Sequence, residues 1–171
     1  MAHRPNRRTV VRTAVWTVPA VAVATAAPAM AISTNQGPTL RFDTLNLFGA
    51  DYVAGDPTTL ESQAEVQNVY TATSPTLTTV TLTVSYPDTR VSGAAPTSVT
   101  GAGWSYSSAV HAGSTWVYTF VYGGSVPPGS STSTVDFHVP LTSAAAGTIT
   151  ITGAAFASGG STVSTASYRV K

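Results

Sequence analysis

The sequence predicts an all-β protein, an antiparallel sandwich of about seven to nine short strands. Three observations predict it. Ser and Thr are abundant along the chain, 11 Pro and 14 Gly punctuate it at short intervals, and no convincing stretch repeats apolar residues at 3.6 spacing. Several segments instead alternate apolar and hydroxylic residues, the period of a half-buried strand. With 171 residues and no Cys, the chain is long enough to bury a core without disulfides.

The first thirty-one residues read as an export signal rather than as part of the fold. Arg4, Arg7, Arg8 and Arg12 precede a small, apolar stretch from Thr13 to Ala27, and Ala29-Met30-Ala31 fits a small-x-small cleavage site. Asn6-Arg7-Arg8-Thr9-Val10-Val11-Arg12 resembles the twin-arginine export motif. The resemblance implies the twin-arginine export machinery and signal peptidase as partners, and a secreted or cell-envelope location. The apolar stretch, interrupted by Pro19, falls short of the roughly 20 residues that span a bilayer, so no stable membrane span is expected after cleavage. The expected organisation is a signal peptide over 1–31 and one domain over 32–171. That domain keeps four basic and seven acidic side chains. Phosphate contacts need clustered Lys and Arg, which argues against nucleic acid as a partner.

Along the remainder, Leu40 to Leu47, Gln63 to Thr71 and Gly103 to Val110 are the weaker strand candidates. Thr58-Thr59-Leu60-Glu61 spells a capping box, so a single helical turn is expected at the start of Thr58 to Val69. Leu77 to Tyr86 is the clearest strand, with Val80, Leu82, Val84 and Tyr86 on one face and Thr79, Thr81, Thr83 and Ser85 on the other. In Thr115 to Tyr122 both faces are largely apolar, as in a central strand covered on each side. Thr134 to Val139 turns Val135, Phe137 and Val139 inward, and Pro140 removes a donor and ends the ladder. Gly147 to Ala157 and Thr162 to Val170 flank Ser158-Gly159-Gly160-Ser161, a tight hairpin signal. The stretches 51–59 and 91–103 read as loops.

Four consecutive pieces carry a family resemblance: Gly103-Trp104-Ser105-Tyr106, Trp116-Val117-Tyr118-Thr119-Phe120, Val126-Pro127-Pro128-Gly129-Ser130-Ser131 and Val135-Asp136-Phe137-His138-Val139. In this order they resemble the bacterial immunoglobulin-like domains of the DUF11 type, over roughly residues 60 to 170. The resemblance implies an immunoglobulin-like, extracytoplasmic sandwich that spaces, adheres or binds without catalysis. A cell-wall glycan or a protein is the partner it suggests.

Residues with catalytic chemistry are sparse. Gly123-Gly124-Ser125 and Gly129-Ser130-Ser131 do not match a Gly-x-Ser-x-Gly elbow and read as turns. Past the signal only His111 and His138 could ligate zinc through nitrogen, so a site would need carboxylates brought to them by folding. Both histidines read as surface residues. Asp51 and Asp56 share a polar loop but lack EF-hand order, and Glu61 with Glu65 lacks a supporting partner for glycoside hydrolysis. No catalytic residue, metal or cofactor is therefore expected, and an enzyme or inhibitor would have to place its site in the loops 51–59 or 91–103. Trp104, Tyr106, Trp116, Tyr118 and Tyr122 fall on two neighbouring strands. They either fill the core or form a flat carbohydrate-binding row, which is the alternative function the sequence suggests.

Overall fold

The computed structural model describes residues 39–48, 59–71, 73–143, 145, 147–158 and 160–170. The export signal with Arg7, Arg8, Ala29 and Ala31, and the loop with Asp51 and Asp56, lie outside these residues. The described chain forms nine strands: β1 (Thr39–Phe48), β2 (Thr59–Val69), β3 (Val80–Pro87), β4 (Ser98–Thr100), β5 (Trp104–Ala112), β6 (Thr115–Tyr122), β7 (Val135–Pro140), β8 (Gly147–Ala157) and β9 (Gly160–Val170). They make two antiparallel sheets, one in the order β1-β2-β7-β4 and one in the order β5-β6-β3-β8-β9.

That order is immunoglobulin-like. A constant-type sandwich sets strands A-B-E-D against C-F-G. Here β1, β2, β7 and β4 take the first order, and β3, β8 and β9 take the second. The addition is the β5–β6 hairpin. It is inserted in the chain between β4 and β7 and lies against β3, extending the second sheet to five strands.

Alternation builds the core. Val80, Leu82, Val84 and Tyr86 of β3, Val135, Phe137 and Val139 of β7, and Ile149, Ile151 and Ala155 of β8 are all buried. Phe120 of β6 meets Phe137 across the sandwich with ring centroids 4.2 Å apart. Tyr86 and Tyr118 stack edge to face at 5.4 Å, a favoured aromatic arrangement. One hydroxyl pair also crosses the core: Ser62 Oγ and Tyr86 OH share a hydrogen bond of 2.5 Å. Such a bond satisfies two buried polar groups that would otherwise destabilise the fold.

Three expectations need correction. The capping-box segment forms no helical turn, because β2 begins at Thr59 and pairs with β1 and β7 along its length. Its inward positions are Leu60, Ser62, Ala64, Val66 and Asn68, and the two polar ones obscure the alternation. The region 91–103, expected to be loop, contains β4, held by pairing of Val99 with Phe137. Finally, β6 is an interior strand between β5 and β3, and β3 occupies the centre. The hairpin of β8 and β9 is tighter than expected. Ala157 pairs with Gly160 and leaves a two-residue turn in which Ser158 adopts a φ of 40°.

Candidate functional site

The five aromatic residues singled out in the sequence do come together, on β5 and β6, but they face inward. Trp104 and Tyr118 are buried, while Tyr106, Trp116 and Tyr122 are half-buried against the core. Trp104 donates its indole N–H to the Ser133 carbonyl at 2.8 Å and packs on Tyr122 at 5.2 Å. Tyr106 packs on both Tyr118 and Phe120. Backbone covers the flanks of the two rim rings. Gly93, with φ +74°, lies so close to Trp116 that a Cβ there would fall 2.2 Å from the ring, and a Cβ on Gly124 would fall 2.5 Å from Tyr122. The five rings thus form a packed inner cluster rather than an exposed flat row.

Burial inside this cluster shifts tyrosine ionisation. Burial, then the charge of Tyr106, pushes the Tyr118 hydroxyl up to about 12, against a hydrogen bond with the Gly93 backbone. Tyr86, fully buried, is raised further by the same cause, and its bond to Ser62 only partly opposes the rise. A tyrosine titrates near 10 when unfolded, so the folded state holds these protons more tightly. The contribution of Tyr118 to stability is complete below pH 10 and is lost as pH rises through 12, while that of Tyr86 goes on falling above it. Melting temperature is expected to fall steeply between pH 10 and 12, and Tyr118→Phe should flatten part of that fall.

The sequence-predicted chemistry residues sit elsewhere. His111 lies in β5, not in a turn, where its Nε2 is 3.1 Å from Asp88 Oδ2 and its ring stacks on Trp116. Glu65 accepts a hydrogen bond from Thr134 Oγ1 at 3.2 Å and is not paired with Glu61. Glu61 has other neighbours. Register sets Glu61 opposite His138 and Gln63 opposite Asp136 on the outer face of the four-stranded sheet, where β4 adds Ser98 and Thr100 beside them.

There, Gln63 Nε2 donates to Asp136 Oδ2 at 2.8 Å and to Glu61 Oε1 at 3.2 Å. His138 Nε2 lies 3.3 Å from Asp136 Oδ1. All three ionisable groups are half-buried, and one ligand atom from each lies within 4.8 Å of the others. Burial, together with the hydrogen bond and negative charge of Asp136, raises the Glu61 carboxyl above its ordinary 4.5, while His138 and Gln63 pull it back. The sequence reading missed this group because its members lie on different strands; only the register of β2 against β7 assembles them. The signal that was available is the alternation of Asp136 and His138 on one face of β7.

The outer face of the five-stranded sheet has a different character. Pairing sets Thr81, Thr83 and Ser85 of β3 beside Thr119 of β6 and beside Thr152 of β8, with Thr150 opposite Ser167 of β9. Val117, Val121 and Val110 complete the β5 and β6 side. Arg169, opposite Thr148, is the one charged side chain among the described residues of this face. Thr148, Thr150, Thr152, Thr165 and Ser167 are exposed, and Thr150 and Ser167 share a 2.8 Å hydrogen bond.

No helix among the described residues is long and apolar enough to cross a membrane. No family model and no curated protein matches the chain. Among solved structures, the chain is similar to the major pilin SpaA of Corynebacterium diphtheriae at 12% identity and a TM-score of 0.47, over 71% of this chain and 31% of the pilin. The chain thus spans under a third of that protein's length. It is also similar to the collagen-binding domain of a Staphylococcus aureus adhesin, at 11% identity and a TM-score of 0.37, over 77% of this chain and 97% of that domain.

Proposed function

We propose that this chain is a noncatalytic, exported immunoglobulin-like module with an adhesive or structural role at the bacterial cell envelope or in the medium. One observation carries the reading: the hydroxyl-rich, almost uncharged outer face of the five-stranded sheet. Docking there desolvates hydroxyls, valines and the exposed Phe156 but hardly any ion, and a charged partner would lose water without gaining an opposite charge. A neutral polyhydroxyl surface is the better match, since it can exchange hydrogen bonds with the threonine rows. The wall glycan is therefore the favoured partner. The Arg-rich segment ending at Ala31 supports export, in keeping with that location.

The test is retention of the purified chain on insoluble wall glycan, with wall protein as a separate arm. Thr119→Lys combined with Thr150→Lys places two cations on the face without touching the core, and is expected to cut glycan retention at least about tenfold while leaving the melting temperature nearly unchanged. Retention that ignores the double substitution would overturn the face as the contact surface. Retention on wall protein alone would replace the glycan, and release of soluble sugars from the wall would overturn the noncatalytic reading.

A further inference from the structure

We propose that Glu61, Asp136 and His138 form a binding site for a divalent first-row transition metal ion, with Zn²⁺ as its best-suited occupant. The argument starts from the donor set. One imidazole nitrogen and two carboxylates are the mixed nitrogen and oxygen ligands that zinc accepts, with bonds near 2.0–2.2 Å. Calcium and magnesium prefer oxygen alone.

The second step is geometric. In a tetrahedron with bonds of that length, ligand atoms stand roughly 3.3–3.5 Å apart. His138 Nε2 and Asp136 Oδ1 are already 3.3 Å apart, and one ligand atom of Glu61 lies within 4.8 Å of both. Closing the third ligand onto the ion asks only for side-chain rotation, since the Cα positions are fixed by the paired ladder of β2 and β7.

The third step is the surroundings. Gln63 donates to Glu61 Oε1 and to Asp136 Oδ2, so it engages one oxygen of each carboxylate, while Asp136 Oδ1 faces His138 Nε2. This is the outer-shell role that orients carboxylate ligands. Two carboxylates and a neutral imidazole carry a charge of −2, which one divalent cation cancels. Without it the two half-buried carboxylates repel each other at close range. All three ligands come from one face, so at least one coordination position is turned to solvent and takes water. The other histidine of the described residues has only Asp88 as an acidic partner, and it offers no third ligand.

The experiment uses the full chain, freed of metal and titrated with Zn²⁺ in a calorimeter, with Co²⁺ as a spectroscopic probe. One-to-one saturable binding is expected, and Co²⁺ should develop the visible absorption of a low-coordinate site. His138→Ala and Glu61→Gln are each expected to weaken Zn²⁺ at least about tenfold, and His111→Ala is expected to leave it unchanged. Circular dichroism of each variant separates loss of ligand from loss of fold. Gln63→Ala keeps all three ligands and should weaken binding less than either ligand variant. The proposal is overturned if the folded chain fails to bind Zn²⁺ and Co²⁺ at millimolar concentration, or if binding survives both His138→Ala and Glu61→Gln.

Discussion

Phe137→Ala is expected to lower unfolding free energy by about 3–5 kcal/mol, the usual loss for a buried aromatic truncated to Ala. Phe137 is fully buried on β7, its ring lies 4.2 Å from Phe120 of the opposite sheet, and Val99 of β4 pairs with it in the ladder. The side chain therefore joins the two layers and anchors the edge strand at once. Removing it leaves a cavity that paired strands on either side cannot close. Urea unfolding monitored by tryptophan fluorescence measures the loss. Val110→Ala, on the exposed face of β5, is the control and should cost well under about 1 kcal/mol. A loss at Phe137 no larger than at Val110 would mean that the layers are not held through this contact.

Asn68→Ala is expected to cost about 1–3 kcal/mol, although it removes no large apolar surface. Asn68 is completely buried at the end of β2. Its side-chain amide donates to the carbonyls of Pro75 at 2.9 Å and Val126 at 3.0 Å, and its backbone bonds to Ser130 and Gly129. The residue ties two loops, around 70–77 and 126–131, to the strand. Alanine would take the donor from the Pro75 carbonyl, which costs about 1–3 kcal/mol for a buried group left unpaired, while the Val126 carbonyl keeps the Leu77 N–H. The same chemical denaturation gives the magnitude, and limited proteolysis gives the place. Cleavage should appear first within those two loops, and cleavage elsewhere would contradict the tie.

Asn68 also explains why part of the fold was hard to read. Where core positions are apolar, as in β3 and β7, alternation alone placed every inward residue correctly. In β2 two inward positions are Ser62 and Asn68; the Ser62 hydroxyl meets Tyr86, and the Asn68 NH2 group meets loop carbonyls far away in the chain. A local pattern cannot reveal such partners, and a capping box filled the gap with the wrong element. β4 escaped for another reason: three residues are too few for periodicity, and only its pairing with β7 makes them a strand. The aromatic cluster was legible as a cluster, but its face stayed open in the sequence, because the side on which Trp104 and Tyr106 lie is set by the pairing of β5 with β6. The acidic group with His138 was not legible, since Gln63 and Asp136 lie 73 positions apart and meet only through register.

The place of β3 at the centre of its sheet has a consequence for how the chain is made. Thr83 pairs on one side with Thr119 and on the other with Ala154, 71 positions further along. At ribosomal speeds of about 5–20 residues per second, the central strand waits roughly 4–14 s before its second neighbour exists. Pairings this distant also close slowly once the chain is complete, because loop entropy is lost before contacts repay it. During that interval β3 has an unpaired edge, the condition under which strands aggregate. Its threonines at 81 and 83 and the serine at 85 keep one side of the waiting strand hydrated. The hydroxyl face thus serves the nascent chain before it serves any partner.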